Sequence, residues 1–146
     1  MSAFSDSVEQ AIINHYFKQT SLSANNATWI SLHTADPTDA ALSTEVQGTG
    51  YARISVTVSS TAGTGWTVTG STVSNSAAIQ FPASGTISNW TTHQSGALPF
   101  SITHFGIWTA QTGGTLLFHG PLSASKTVAS GDIFQFLAGN LSITLN

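Results

Sequence analysis

Ala52-Arg53-Ile54-Ser55-Val56-Thr57-Val58-Ser59 is the stretch that decides the fold, because apolar and polar side chains alternate along it. A period of two is typical of a β-strand with one face buried and the other in solvent. The pattern places Ile54, Val56 and Val58 in a core. It places Arg53 on the solvent side.

The same alternation recurs in both directions from this stretch, between turns rich in glycine, proline and asparagine. Residues 28–34 and 141–145 alternate most clearly, the latter with Leu141, Ile143 and Leu145 inward. The other segments that favour strands are 66–68, 77–81, 86–90, 102–109, 115–119, 126–128 and 133–136. Short strands at this spacing are typical of a sandwich. We therefore expect one mainly β domain over residues 1–146, an antiparallel β-sandwich or barrel-like domain with strands between residues 28 and 145.

One segment departs from this period and predicts an N-terminal α-helix over residues 6–18. Val8, Ile12 and Tyr16 recur every four residues, and Phe17 lies beside them. This spacing gives a broad apolar stripe along one side of a helix. We expect the stripe to be buried against the sheet or against a neighbouring subunit.

Charge is scarce in this sequence of 146 residues. Six acidic residues and three Lys or Arg give a formal net charge of −3, whereas serine and threonine together supply 42 residues. Binding to phosphates requires clustered basic side chains, so we expect no nucleic-acid partner. The chain has no apolar run long enough to span a bilayer, and its first residues lack the basic and apolar regions of a signal peptide. We therefore expect neither a membrane partner nor a signal peptide.

The strongest candidate for a metal site is a pair of histidines. A hairpin that pairs residue 110 with 115 also pairs 106 with 119, which leaves His104 and His119 as diagonal neighbours on one face. Such neighbours lie about 7–8 Å apart, close enough for two imidazoles to share a metal. A third ligand would have to come from His93 or His33, and neither has the spacing of a metal motif. We therefore expect His104 and His119 to be structural, satisfied by backbone or water, with no metal and no cofactor.

Acidic and nucleophilic residues do not form a recognisable catalytic motif. Asp36, Asp39 and Glu45 are the densest acidic group, but they lack the alternating ligands and central glycine of an EF-hand calcium loop. Asp36 is instead expected to form an Asx turn with its own backbone. The chain has no Gly-x-Ser-x-Gly elbow and no cysteine, which excludes thiolate catalysis and cysteine-ligated zinc. We expect no enzyme and no catalytic residues.

Four side chains are candidates for contact with a partner or a glycan. Tryptophans at the ends of strands can stack on sugars if they are exposed in a row, and Trp66 and Trp90 are placed in this way. His93 and Gln94 follow Trp90 in a loop and could add polar contacts.

Several segments, in the same order along nearly the whole chain, carry a resemblance to a known family. They include residues 4–17, Ile30-Ser31-Leu32-His33-Thr34-Ala35-Asp36-Pro37, Glu45-Val46, Gly50-Tyr51-Ala52-Arg53, residues 75–82, Ile102-Thr103-His104-Phe105-Gly106-Ile107, Leu117-Phe118-His119-Gly120-Pro121-Leu122, Ser130-Gly131-Asp132 and Ala138-Gly139-Asn140-Leu141. The chain resembles small bacteriophage virion proteins that are often labelled tail-fibre proteins. It departs from them at residues 91–100, where an extra loop is inserted.

The resemblance implies a non-enzymatic structural component of a bacteriophage virion, without catalytic or cofactor-binding residues. It leaves open a tail fibre or collar position and a capsid decoration role. It implies other phage virion proteins as partners and a homo-oligomer, with a homotrimer favoured by analogy. We expect the protein to be part of the virion and to be assembled in the bacterial host cytoplasm. The alternative is a carbohydrate-binding or host-receptor-binding module that uses Trp66, Trp90 and the His93 loop.

Overall fold

Short antiparallel strands and one helix form the part of the chain that the computed structural model describes, residues 3–145. In chain order the elements are β1 (Ala3–Phe4), α1 (Asp6–Lys18), β2 (Ala27–His33), β3 (Gln47–Gly48), β4 (Ile54–Thr57), β5 (Trp66–Thr69), β6 (Thr72–Asn75), β7 (Ile79–Phe81), β8 (Trp90–Thr91), β9 (Phe100–Trp108), β10 (Leu116–Val128), β11 (Phe134–Phe136) and β12 (Ser142–Thr144). The expectation of a mainly β fold with one N-terminal helix is confirmed.

The largest sheet has five strands in the order β1-β10-β9-β2-β4, and each neighbouring pair is antiparallel. Its centre is the β9–β10 hairpin, in which His119 lies opposite Gly106 as the sequence predicted. The register shifts between Leu116 and Phe118 and again between Pro121 and Lys126. Bulges of this kind bend a strand and increase its twist, so the long strand β10 can curve along the edge of the core.

Three small sheets, β11-β7, β12-β6-β5 and β3-β8, complete the fold. Buried apolar side chains from the five-stranded sheet and from the small sheets belong to one core cluster. Its fully buried members include Ile30, Leu32, Phe81, Ile102 and Ile143. The arrangement is therefore sandwich-like, since strands on both sides contribute inward side chains to a shared core.

The stretch that predicted the fold forms β4, but its ends differ from the prediction. Val56 is buried as expected, whereas Val58 is 39% exposed because the strand ends at Thr57. Arg53 precedes the first residue of the strand and is only 8% exposed, so its expected solvent position was wrong. Of the strand expected over residues 86–90, Trp90 alone is in a strand, as the first residue of β8.

Strand β2 is buried on both faces, which alternation alone did not indicate. Ile30 and Leu32 point into the core as predicted, and Ser31 and His33 on the opposite face are also fully buried. The reason is that the 35–46 loop folds back over that face, since Thr34 and Val46 donate backbone hydrogen bonds to Thr44 and Leu32, respectively.

Helix α1 has the predicted bounds but not the predicted packing on the sheet. Within Asp6–Lys18, which the structure describes completely, no residue is buried. Ser5 attaches the start of the helix to β10, because its backbone N–H donates to Leu117 O at 3.0 Å and its hydroxyl donates to Leu116 O. Within residues 3–145 no helix has the length and apolar character needed to cross a bilayer.

Strand β12 allows a direct test of which side chains form the core. Ile143→Ala should lower the free energy of unfolding by about 2–5 kcal/mol, because Ile143 is 1% exposed and its loss leaves a cavity. Leu145→Ala is the matched control, and we expect it to cost under about 1 kcal/mol because Leu145 is 37% exposed. Urea unfolding measures both, and equal losses would contradict the described core.

Candidate functional site

The two tryptophans expected at a binding surface are not exposed in a row. Trp90 is 1% exposed and meets the Tyr51 ring edge-on, with 5.3 Å between the centroids. Trp66 is half-buried, and its indole N–H donates to Thr28 Oγ1 at 2.9 Å. Trp90 therefore has no free face for a ligand, because its ring belongs to the core.

The loop after Trp90 is a compact turn with one exposed end. Thr92 N–H donates to Gly96 O at 2.8 Å, and Gly96 N–H donates to Thr92 Oγ1 at 2.9 Å. His93 is half-buried, with Nδ1 3.4 Å from Thr34 Oγ1, whereas Gln94 is exposed. Of the four candidate contact residues, Gln94 is the one whose side chain is fully open to a partner.

The two histidines of the β9–β10 hairpin are diagonal neighbours, as predicted, but their partners differ from expectation. His119 is buried, with Nε2 2.8 Å from Asp39 Oδ1 and Nδ1 3.0 Å from Asp36 Oδ1. The Nδ1 contact lacks hydrogen-bond geometry within the described residues. His104 instead has Nδ1 2.9 Å from Thr103 Oγ1, and burial lowers its pKa. The expectation of backbone or water partners was wrong for His119, because the loop containing both aspartates folds onto β10.

The three acidic residues of the loop have two partners, His119 and Arg53. Asp36 and Asp39 face His119, and Glu45 faces Arg53. Asp36 also accepts the predicted Asx bond from Thr38 N–H at 2.9 Å. Burial alone would raise the pKa of Asp36, but the Thr38 bond and the nearby His119 outweigh it and lower that pKa. Among residues 3–145, no group of three or more His, Cys, Asp or Glu side chains could hold a metal ion.

His33 is the centre of a second buried polar network. Its Nε2 lies 2.6 Å from Ser31 Oγ, and its Nδ1 lies 2.9 Å from Thr44 Oγ1. Trp108 Nε1 donates to the same Ser31 hydroxyl at 2.8 Å. Burial, followed by the charge of Arg53, lowers the pKa of His33 to about 3. The imidazole is therefore neutral at physiological pH, and each of its nitrogens has a hydroxyl partner.

Gly106 provides the space for this network. A Cβ atom at this position would lie 2.6 Å from Ser31 Oγ, 2.9 Å from His33 Nε2 and 2.9 Å from Trp108 Nε1. All three distances are shorter than real Cβ contacts. The residue opposite Ser31 in β9 must therefore be glycine for the serine, histidine and tryptophan to approach one another.

Arg53 connects the end of the loop to the turn of the hairpin. Its Nε and Nη2 donate to the Glu45 carboxylate at 2.9 Å and 2.6 Å. Its Nη1 donates to Ala110 O at 3.0 Å and to Gly113 O at 2.8 Å. The guanidinium also lies 3.8 Å from the centroid of the Trp108 ring, a cation–π geometry.

Tyr51 completes the arginine network. Its hydroxyl donates to Glu45 Oε1 at 3.0 Å and accepts from Leu32 N–H at 2.9 Å. Burial, reinforced by the Glu45 charge, raises the pKa of Tyr51 well above its ordinary value. The phenol therefore stays protonated, as a donor to the carboxylate must be.

These networks join the 35–46 loop to the sheet and to the hairpin turn. Ser31 and His33 have the spacing of a nucleophile and its base, but both are 0% exposed. The sequence patterns did not predict that Arg53 and Tyr51 would both bind Glu45. A signal was present, because Arg53 is one of only three basic residues and Glu45 precedes it by eight positions.

A comparison with family models finds one that spans almost the entire chain. The model is described as podophage GP4 fiber I protein gp80, and it matches residues 3–144. No match was found among the curated proteins.

We expect the Arg53 network to contribute strongly to the free energy of unfolding. Arg53→Met should lower the free energy of unfolding by about 3–5 kcal/mol, because Glu45 then loses its partner in a mostly buried site. Adding Glu45→Gln to that variant should recover part of the loss, since the unpaired charge is removed. Lys18→Met, at an exposed cation, is the control and should change stability by less than about 0.5 kcal/mol. Urea unfolding of the four proteins tests this, and an Arg53→Met variant as stable as the control would contradict it.

His33 should make the protein less stable in mild acid. In the unfolded chain His33 is protonated below its ordinary pKa of 6.5. In the folded chain its pKa is about 3, so the imidazole stays neutral down to that pH. The free energy of unfolding should therefore fall as pH decreases through this window, by up to about 1.4 kcal/mol per pH unit. Between pH 7.5 and pH 5, wild type should lose about 2 kcal/mol more than His33→Gln. His15→Gln, at an exposed histidine, should keep the wild-type slope, and a His33→Gln slope equal to wild type would contradict the prediction.

Proposed function

Because the chain belongs to the family of the podophage GP4 fiber I protein gp80, and is thus a structural component of a phage virion, we propose that it is a non-enzymatic subunit that self-associates and docks on the particle. The observation that carries the proposal is the family match over residues 3–144. We propose that residues 1–146 act as one β-rich domain, placed in a tail fibre, in the collar or on the capsid.

A structural role agrees with the way the polar groups are used. The one close serine–histidine pair described above is fully buried, and the carboxylates of the 35–46 loop are engaged by His119 and Arg53. These contacts stabilise the loop on the sheet. The proposal of a non-enzymatic protein is supported by the burial of the Ser31–His33 pair, because a catalyst needs its nucleophile and base to be accessible.

Self-association is supported by the character of the surface. Tyr16 and Phe17 are 76% and 83% exposed, and Ile13, Leu22 and Leu42 are each more than half exposed. Exposed apolar patches on a protein with few charges mark contacts with other proteins. A homotrimer is the assembly that we propose, with other virion proteins as further partners and assembly in the host cytoplasm before release.

The inserted loop at residues 91–100 is proposed as a contact with a virion partner. Its exposed end, residues 94–97, is the part that another protein can reach, and Gln94 offers both a donor and an acceptor there.

The position in the particle can be tested directly. Cryo-electron microscopy of purified phage particles, with mass spectrometry of the same sample, should find the protein in multiple copies at one fixed position. Deletion of its gene should remove that density and leave the remaining particle proteins in place. A protein absent from purified particles but abundant in infected cells would contradict the proposed function.

A further inference from the structure

Helix α1 presents a face that its own chain leaves uncovered. Glu9, Ile13 and Phe17 are spaced by four residues and share one side of the helix, with Tyr16 next to them. Ile13, Tyr16 and Phe17 are 51%, 76% and 83% exposed, and Asp6 and Glu9 are exposed at the N-terminal end of the same side. We call these five residues the helix face: an acidic end followed by an apolar end.

The helix face needs a partner for energetic reasons. A helix of 13 residues is marginal on its own in water, because most helical stability in proteins comes from tertiary packing. Here the hydrogen bonds to the body lie at the very start, through Ser5 to β10 and through Asp6 N–H to Asp39 O at 3.4 Å. Covering the last two turns of α1 would therefore stabilise the helix more than covering its first turn.

A groove of complementary character lies elsewhere on the same chain. It has a volume of about 400 Å³ and runs between the middle of β10 and the segment from β11 to β12. Phe105, Phe134 and Phe136 lie at its base and are 3–7% exposed, and Pro121, Leu122 and Lys126 lie in its wall. No α1 residue lines it, because α1 leaves the Leu116 end of β10 whereas the groove follows residues 121–126.

The charges of the two surfaces match. Of the three basic residues in the chain, Arg53 is buried against Glu45 and Lys18 lies about 140° around the helix from Ile13. Lys126 is therefore the cation that can meet the acidic end of the helix face.

The spacings match as well. Lys126 lies opposite Ile102 in the β9–β10 pair. Ile102 and Phe105 are three residues apart in β9, so Lys126 and Phe105 are separated by about 10 Å along the strand direction. On the helix, Glu9 and Phe17 are separated by about 12 Å. One docking pose can thus place Phe17 over the base of the groove and Glu9 beside Lys126.

We propose that the helix face of one copy binds the groove of a second copy of this chain. The contact joins two different surfaces, so a bound pair still has one free groove on the first copy and one free helix face on the second, and association continues until a ring closes. Closure after three copies would give the homotrimer. This inference rests on the self-association in the proposed function and names the residues that perform it.

A charge exchange tests the contact. Lys126→Glu and Glu9→Lys should each weaken self-association about tenfold, because each places like charges opposite one another, and the double variant should recover most of the loss. Lys18→Glu changes the net charge by the same amount as Lys126→Glu and should leave association unchanged. Sedimentation velocity at micromolar concentration measures all four. Failure of the double variant to recover, when both single variants are weakened and folded, would overturn the inference.

A mixing experiment tests the joining of two different surfaces. Phe17→Ala removes the helix face and Lys126→Glu impairs the groove, so each variant alone should be mainly monomeric. Mixed together, they should form a species of two chains of 15.2 kDa each, joined by the intact face of one and the intact groove of the other. Val68→Ala, at an apolar residue of β5 that is 72% exposed, should assemble like wild type.

The outcomes separate this inference from the proposed function. A wild-type oligomer that neither Phe17→Ala nor Lys126→Glu weakens would overturn the helix-to-groove contact and leave the virion role standing. Single variants that stay monomeric after mixing would also overturn it, because the contact would then join identical surfaces. Absence of the protein from purified particles would overturn the virion role even if the contact formed.

Discussion

The ion pair between Arg53 and Glu45 is the interaction on which the rest of the structure depends. Burying a guanidinium is costly unless its charge and donors are satisfied. Here every nitrogen of Arg53 has a partner, and Trp108 covers the flat face of the group. The bonds to Ala110 and Gly113 fix the hairpin turn, and those to Glu45 fix the loop. Because the loop is fixed, it can cover β2 and enclose the His33 network.

Local patterns predicted the elements well. The period of two in residues 52–59 predicted strand β4 but not its ends, and the four-residue spacing in α1 predicted the helix, because both patterns depend on neighbouring residues. The burial of Arg53 and Ser31 was missed. It depends on a loop that folds back from elsewhere in the sequence, which alternation within one strand cannot report. The exposure of Tyr16 and Phe17 shows the converse: the four-residue spacing predicted the helix, but it does not report what the apolar side packs against.

In the candidate sites, too, the features set by local sequence were predicted and those set by distant residues were not. The diagonal placement of His104 and His119 followed from hairpin geometry and was confirmed. Their partners could not be predicted, since Asp39 reaches His119 across 80 positions of sequence. Trp90 was misplaced because strand-end tryptophans look alike in sequence whether they face solvent or the core. Of the nine charged residues, Asp36, Asp39, Glu45 and Arg53 take part in the internal contacts described above, and the 42 serine and threonine residues far outnumber the charged ones.

The attachment of Ser5 to Leu116 joins positions that are 111 residues apart. During synthesis α1 leaves the ribosome well before β10, the strand that anchors it. At 5–20 residues per second, the helix waits roughly 6–20 seconds for its anchor. Translation order therefore leaves α1 without this attachment while the intervening chain is made, and a chain that terminates before residue 116 would lack it altogether.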